Sequence, residues 1–188
     1  SLALNSGTIK DAALNNATLT LPEPGAANSL GANKDLIVDT ASSFVTSVNS
    51  TKENGTYKQG NLIPINVTFN EVVNVTGIPQ LTLETGESDA VVNYFTGSGT
   101  NTLIFNYTVA AGHTSNDLDY VTNSSLSLNN GSINDSALNQ ASLILPKPGA
   151  ANSLGANKAL VLDNTRPTVI SVNSTKEDGV YTCLLYTS

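Results

Sequence analysis

The chain repeats its own sequence over a distance typical of a whole domain. Residues 1–57 return at 125–181, each residue lying 124 positions after its counterpart, and about two-thirds of the paired positions are identical. The segment PGAANSLGANK occurs without change at 24–34 and at 148–158. Solenoid units are shorter, about 20 to 50 residues, whereas single domains span about 50 to 250. The repeat therefore predicts a tandem array of near-identical globular domains.

The unit between the two copies is dominated by short segments in which apolar and polar residues alternate. Residues 61–70 place Ile63, Ile65, Val67 and Phe69 on one face, and residues 102–109 show the same period of two. Such alternation, broken by glycine-containing turns, predicts half-buried strands. Together the segments predict an all-β fold, an immunoglobulin-like β-sandwich with about seven to nine strands per unit.

Two local features refine this prediction. Pro64 lies inside one predicted strand and has no backbone N–H, so that strand is expected at a sheet edge or at a bulge. Apolar residues at helical spacing do not extend over about ten residues anywhere, and only residues 135–140 are expected to form one short helical turn.

The phase of the repeat sets the domain boundaries. Residues 1–39 are interpreted as the C-terminal part of a preceding unit, 40–163 as one complete unit, and 164–182 as the first strand of a following unit. The two partial pieces hold no counterpart of residues 62–124, so residues 1–39 are expected to pack poorly.

The last six residues depart from the repeat. Tyr57 is followed by KQGNLIPI, whereas Tyr181 is followed by TCLLYTS, which includes the only cysteine, Cys183. We interpret 183–188 as the translation of a sequencing adapter and not as part of the native protein.

Composition narrows the functional classes. The charged residues make up only 12% of the chain, the net charge is −7, and the eight basic residues are scattered. This pattern argues against a nucleic-acid partner, which favours a clustered basic surface. The sequence contains no apolar run of about 18 residues, so direct membrane insertion of this segment is not expected.

Several segments carry a family resemblance: TVISVNSTKEDGVY, IPINVTFNEVVNVTGIPQLTLETG, GSGTNTLIFNYTVAAG and ANKALVLDNTRP. They resemble the Ig-like or cadherin-like repeats of large bacterial surface adhesins and other secreted multidomain proteins. The resemblance covers nearly all of 1–182. It implies a β-sandwich, an extracellular or cell-surface location, and calcium between adjacent units. Leu138 stands where the family pattern has a glycine, so we expect that turn to differ.

Acidic residues gather where the ends of the complete unit are expected. If successive strands alternate in direction, Asp39 and Glu71 lie at one end, and Asp117, Asp119 and Asp163 lie at the other. Stacked units would bring the two groups together, and Ca²⁺ takes about six to eight oxygen ligands. We predict two calcium half-sites that neighbouring repeats complete. The alternative is that these are solvated loop carboxylates of an acidic protein.

Two further acidic residues, Asp11 and Asp135, occupy equivalent positions after an isoleucine. They are weaker metal candidates, because an aspartate at such a position can equally cap a short turn.

The functional hypothesis is a structural repeat module of a long extracellular adhesin or stalk, with calcium stiffening the junctions. The alternative is a module that binds a cell-surface glycan or a protein through the loops at 96–100 and 146–158. An enzyme is not expected, because His113 is the only histidine and no nucleophile elbow accompanies it.

Overall fold

The computed structural model describes residues 2–182 of the chain, and strands dominate its regular structure. The strands are β1 (Val45–Ser50), β2 (Gly55–Tyr57), β3 (Leu62–Thr76), β4 (Gln80–Leu83), β5 (Ala90–Thr96), β6 (Thr100–Thr108), β7 (Leu126–Ser127), β8 (Ser132–Asn134) and β9 (Leu160–Leu162). Two single-turn helices, α1 (Leu30–Asn33) and α2 (Leu154–Asn157), complete the regular elements. The prediction of an all-β protein is confirmed.

Apart from β2, the strands between residues 45 and 134 form one curled antiparallel sheet. Its order is β1-β3-β6-β5-β4-β7, and β8 pairs with the far end of β3. β5 changes partner along its length, since Asn93 lies opposite Gln80 of β4 while Tyr94 lies opposite Phe105 of β6. Such changes of partner bend a sheet back toward itself.

A separate pair of strands joins the start of the unit to its end. β2 and β9 run parallel, with Tyr57 opposite Leu162. This pairing connects residues more than a hundred positions apart. It places the last strand of the unit beside one of its first.

The core follows the predicted alternation. Ile63, Ile65, Val67 and Phe69 of β3 are all buried. On β6 and just after it, the buried side chains are Leu103, Phe105, Tyr107 and Val109. Alternate residues of a strand point to opposite faces, and the hydrophobic effect buries the apolar face.

The expectation that Pro64 puts its strand at a sheet edge or at a bulge is wrong, and the register of β3 against β6 is regular around Pro64. β3 pairs with β1 on one side and with β6 on the other, so it is an interior strand and not an edge. Pro64 lies opposite Asn106, near the beginning of β3. It lies just beyond the last residue of β3 that pairs with β1, Ile65, and its carbonyl oxygen accepts a hydrogen bond from the Ser50 side chain at 2.6 Å.

The expected helical turn at 135–140 is also absent. Instead the chain forms a tight hairpin, in which Asn134 and Gln140 are bridged and Leu138 has a φ of 69°. The helical turn lies elsewhere, at α2, where the Ser153 side chain accepts a hydrogen bond from the Ala156 N–H.

Residues 2–39 take local shapes like those of their copies but lack a core. Ser29 caps α1 as Ser153 caps α2, with nearly the same backbone angles. Leu30 is nevertheless 70% exposed, whereas its counterpart Leu154 is fully buried. The poor packing expected of this segment is therefore present. Neither helix in residues 2–182 is long and apolar enough to cross a membrane.

Candidate cation site at the end of the unit

Three carboxylates meet at one end of the complete unit. Asp39, Glu71 and Asp135 each place a carboxylate oxygen within 4.8 Å of the others. The sequence predicts that Asp39 and Glu71 belong to the same end, and the structure brings these two together. Asp135 joins them as a third member. Like charges at such distances repel, so a cation between them would be stabilised.

Glu71 reaches this position because β3 extends past its pairing with β1. The register of β3 against β6 shifts between Thr68 and Val73, and Glu71 lies in that irregular stretch. The neighbouring Asn70 donates from Nδ2 to Glu71 Oε1 at 3.3 Å. Its own Oδ1 accepts the Phe44 N–H at 2.7 Å, which ties the chain entering β1 to the same corner.

Asp39 belongs to the segment that enters the unit. Its Oδ1 accepts the N–H of Ala41 at 3.0 Å, a local turn that an aspartate forms readily. Its backbone carbonyl, and that of Ala41, accept from Asn139 Nδ2 at 3.2 and 3.3 Å. Asn139 therefore holds the entering segment against the unit.

Asp135 is buried and fully bonded within its hairpin. Its Oδ1 accepts the N–H groups of Ala137 and Asn139, and its Oδ2 accepts from Asn139 Nδ2 at 2.9 Å. Burial raises the pKa of this carboxyl, but the hydrogen bonds from Asn139 and the neighbouring amides outweigh it and leave the pKa below its usual value. Asp135 is therefore charged at neutral pH.

The same hairpin occurs in the first copy, where no carboxylate partners surround it. Asp11 accepts from the N–H groups of Ala13 and Asn15 and from Asn15 Nδ2 at 3.0 Å. The turn is thus formed by local hydrogen bonds, as expected from the capping interpretation. Only in the complete unit does the hairpin also pair with β3, where Asn134 lies opposite Asn74. That pairing places Asp135 close to Glu71.

The second predicted half-site is arranged differently. Asp119 Oδ2 accepts the Gly149 N–H at 3.0 Å, and the carboxylates of Asp117 and Asp119 both approach Gly155 of α2. Asp163 Oδ1 instead accepts the Thr165 N–H at 2.8 Å. Within residues 2–182 these three carboxylates do not form a group at ligand spacing. Their role with a neighbouring unit stays a prediction.

His113 fixes a loop. Its Nδ1 lies 2.7 Å from the Tyr107 hydroxyl, and the two rings stack at a centroid distance of 5.8 Å. Burial raises the pKa of Tyr107 to about 12, so this hydroxyl stays protonated at physiological pH. The pair has the geometry of a structural hydrogen bond between β6 and the loop that follows it.

An open groove borders the same pair. It has a volume of about 510 Å³ and runs between β5 and β6, where the two strands separate. The Phe95 side chain is 65% exposed beside it, with the amides of Asn93 and Asn106 along the walls. An exposed aromatic ring with neighbouring amides is a surface on which a sugar can stack and hydrogen-bond.

Comparison of the chain with protein-family models, with curated proteins and with solved structures finds no match.

Proposed function

We propose that this chain is a structural repeat module of a long extracellular or cell-surface adhesin or stalk, and that calcium binds where one unit meets the next. In this proposal each unit is an immunoglobulin-like sandwich of about 124 residues. Each unit would set the distance and the relative orientation between its two neighbours in the array. The low charge and the absence of tryptophan agree with a spacer surface, because tight interfaces are enriched in Tyr, Trp and Arg.

The observation that carries the proposal is the position of Asp39. By the repeat, Asp39 is the last residue of a preceding unit, yet its carboxylate lies with Glu71 and Asp135 of the following one. A cation there would be bound by residues on both sides of the boundary. Carboxylates and backbone carbonyls are the ligands that Ca²⁺ prefers.

Thermal unfolding of the full chain, with calcium and with chelator, tests the metal. A ligand bound only to the folded state stabilises it, and calcium at about 100 times its dissociation constant adds about 2.7 kcal/mol. For a domain of this size we expect Tm to rise by about 5–10 °C.

Glu71→Gln keeps the shape of the side chain and removes one charged ligand. It should raise Tm in chelator, because repulsion falls, and should reduce the calcium-dependent rise. The matched control is Glu87→Gln, since Glu87 is exposed and lies outside the carboxylate group. Equal Tm values with calcium and chelator would rule out the metal and leave a metal-free spacer.

The groove beside Phe95 favours a second candidate, a module that binds a glycan. Phe95→Ala removes the exposed ring and should abolish retention on a glycan array while leaving Tm unchanged within about 2 °C. An array without hits for the unmodified chain would contradict this candidate.

A further inference from the structure

The complete unit has an equivalent linker segment at each of its two ends. Asp39 and Asp163 are counterparts in the repeat, and each is followed by the segment that leads into a β1-like sequence. At Asp39 the structure shows how this segment is bound by the unit that follows it. At Asp163 it shows how the segment is bound by the unit that precedes it.

The preceding unit binds the segment mainly through Asn164. Asn164 Oδ1 accepts the Gln59 N–H at 2.6 Å, and its Nδ2 donates to the carbonyls of Ala110 and His113 at 3.0 and 2.7 Å. The backbone N–H of Asp163 donates to the Tyr57 carbonyl at 3.0 Å. One amide side chain thus joins the segment to two separate loops of its own unit.

The following unit binds the segment through Asn139. This residue donates to the carbonyls of Asp39 and Ala41, and those residues correspond to Asp163 and Thr165 in the repeat. Between Asp39 and Ala41, and between Asp163 and Thr165, the same side chain-to-backbone turn is present. The segment therefore has the same local shape at both ends.

The two sets of hydrogen bonds use different atoms. The preceding unit takes the N–H of Asp163 and the side chain of Asn164, whereas the following unit takes the carbonyls of the residues equivalent to 163 and 165. Both sets can form at once. We propose that successive units are joined by a linker clamped from both sides, in which Asn164 and the next unit's counterpart of Asn139 are the positioning residues.

This inference rests on the proposed function, since it requires successive units, but it does not require calcium. A free linker of five residues would let its ends spread by about 12 Å. A linker whose residues 163 to 165 are each hydrogen-bonded to a unit has little freedom left. The junction should therefore be stiff even in the presence of a chelator.

The two linker segments of this chain, after Asp39 and after Asp163, differ at the residue that binds the preceding unit. The first has Thr40 where the second has Asn164. A hydroxyl offers one donor and an acceptor oxygen on a short side chain, whereas an amide offers two donors and an acceptor at a longer reach. A threonine cannot reproduce all three hydrogen bonds of Asn164. The junction at residues 39–41 should therefore be more flexible than the junction at residues 163–165.

The test extends the chain from Tyr181 with a copy of residues 58–163, which completes a second unit in place of residues 182–188. Spin labels are attached at Val91→Cys and at the equivalent position of the second unit, because Val91 is on β5 and exposed. Pulsed electron spin resonance then gives the distribution of distances between the units. We expect a width well below about 12 Å, unchanged by chelator.

Asn164→Ala and Asn164→Thr should both broaden the distribution by at least about twofold. The matched control is Asn116→Ala, which removes an exposed asparagine at the same end of the unit. In the unextended chain, Asn164→Ala should also speed hydrogen exchange at the Gln59 N–H by at least about tenfold, since that amide loses its acceptor.

The outcomes separate the two proposals. Two cooperative unfolding transitions with a broad distance distribution, or a distribution that Asn164→Ala leaves unchanged, would overturn the clamped linker and leave a flexible array of repeat modules. Failure of the second unit to fold would overturn the repeat module itself, and the clamped linker with it.

Discussion

The Nδ2 atom of Asn139 lies 2.9 Å from Asp135 Oδ2, and the same nitrogen donates to the backbone carbonyl of Asp39. A single side-chain amide therefore holds a buried carboxylate in its hairpin and also holds the segment that enters the unit. Because these hydrogen bonds favour the charged form of Asp135, the pKa of its carboxyl lies below its usual value.

This relationship predicts the behaviour of the unit in acid. A carboxyl with a lowered pKa in the folded state stabilises the fold fully above its unfolded pKa. That contribution is lost as pH falls from about 3.8 through the folded value. Asn139→Ala removes a principal cause of the lowering, so the pH midpoint of acid unfolding should rise. Circular dichroism between pH 2 and 6 measures it.

The first copy supplies the control for this prediction. Asn15→Ala removes the equivalent hydrogen bond to Asp11, in a hairpin that is exposed and not paired with β3. Its acid midpoint should match that of the unmodified chain. If Asn139→Ala and Asn15→Ala unfold at the same pH, the amide does not stabilise the charged form of Asp135.

Leu138 predicts a stabilising substitution. It has a φ of 69°, in the left-handed region, and its side chain is 78% exposed. A left-handed conformation costs a non-glycine residue about 1–2 kcal/mol, whereas glycine loses about 0.5–1 kcal/mol in backbone entropy. Leu138→Gly should therefore raise the free energy of unfolding by up to about 1 kcal/mol, as measured by urea denaturation.

Leu14 is the matched position in the first copy, with a φ of 68°. Because its hairpin does not pack on the core, Leu14→Gly should leave the urea midpoint unchanged. A lower midpoint for Leu138→Gly would mean that the leucine side chain stabilises the hairpin by contacts that outweigh its backbone strain.

The repeat also provides a direct measure of burial. Leu154 is fully buried against the core, and Leu30 is its identical but exposed counterpart. Removal of a buried leucine side chain costs about 2–5 kcal/mol, so Leu154→Ala should lower the free energy of unfolding by that amount. Leu30→Ala should change it by less than about 0.5 kcal/mol. Comparable losses from both would show that residues 1–39 pack on a core in solution.

The strands and their buried faces could be predicted from the sequence because they depend on local alternation. Ile63 and Phe105 needed no long-range information to be placed inside. The meeting of Asp39 with Glu71 followed from strand direction alone. From the sequence Asp135 is only a weak candidate, because its approach to Glu71 depends on the pairing of β8 with β3. The repeated Asp-x-x-x-Asn pattern at 11–15 and 135–139 was the available signal for its hairpin.

Features that depend on pairing between residues far apart in the sequence could not be predicted from it. β3 is interior despite Pro64 because its pairing with β1 ends at Ile65, so Pro64 is paired with β6 alone and its missing N–H removes no hydrogen bond of the ladder. The parallel pairing of β2 with β9 joins residues at opposite ends of the unit, and three-residue strands leave almost no pattern in the sequence. Asn164 was missed for the same reason, since its partners lie in two loops far away along the chain.

Ser43 gives the last prediction. It is fully buried where the entering segment meets β1, and within residues 2–182 its hydroxyl oxygen makes no hydrogen bond. Its backbone carbonyl, by contrast, accepts the Ser142 N–H at 2.7 Å. A buried polar group without a partner costs about 1–3 kcal/mol of desolvation, and Ser43→Ala removes it while keeping the backbone bond.

We therefore expect Ser43→Ala to raise the free energy of unfolding by about 1 kcal/mol in urea denaturation. Ser50→Ala is the matched control, because the Ser50 hydroxyl is also buried but donates to the Pro64 carbonyl. That substitution should destabilise the unit by about 1 kcal/mol, since it leaves an acceptor unbonded. A loss of stability from Ser43→Ala as large as that from Ser50→Ala would mean that the Ser43 hydroxyl has a partner in solution.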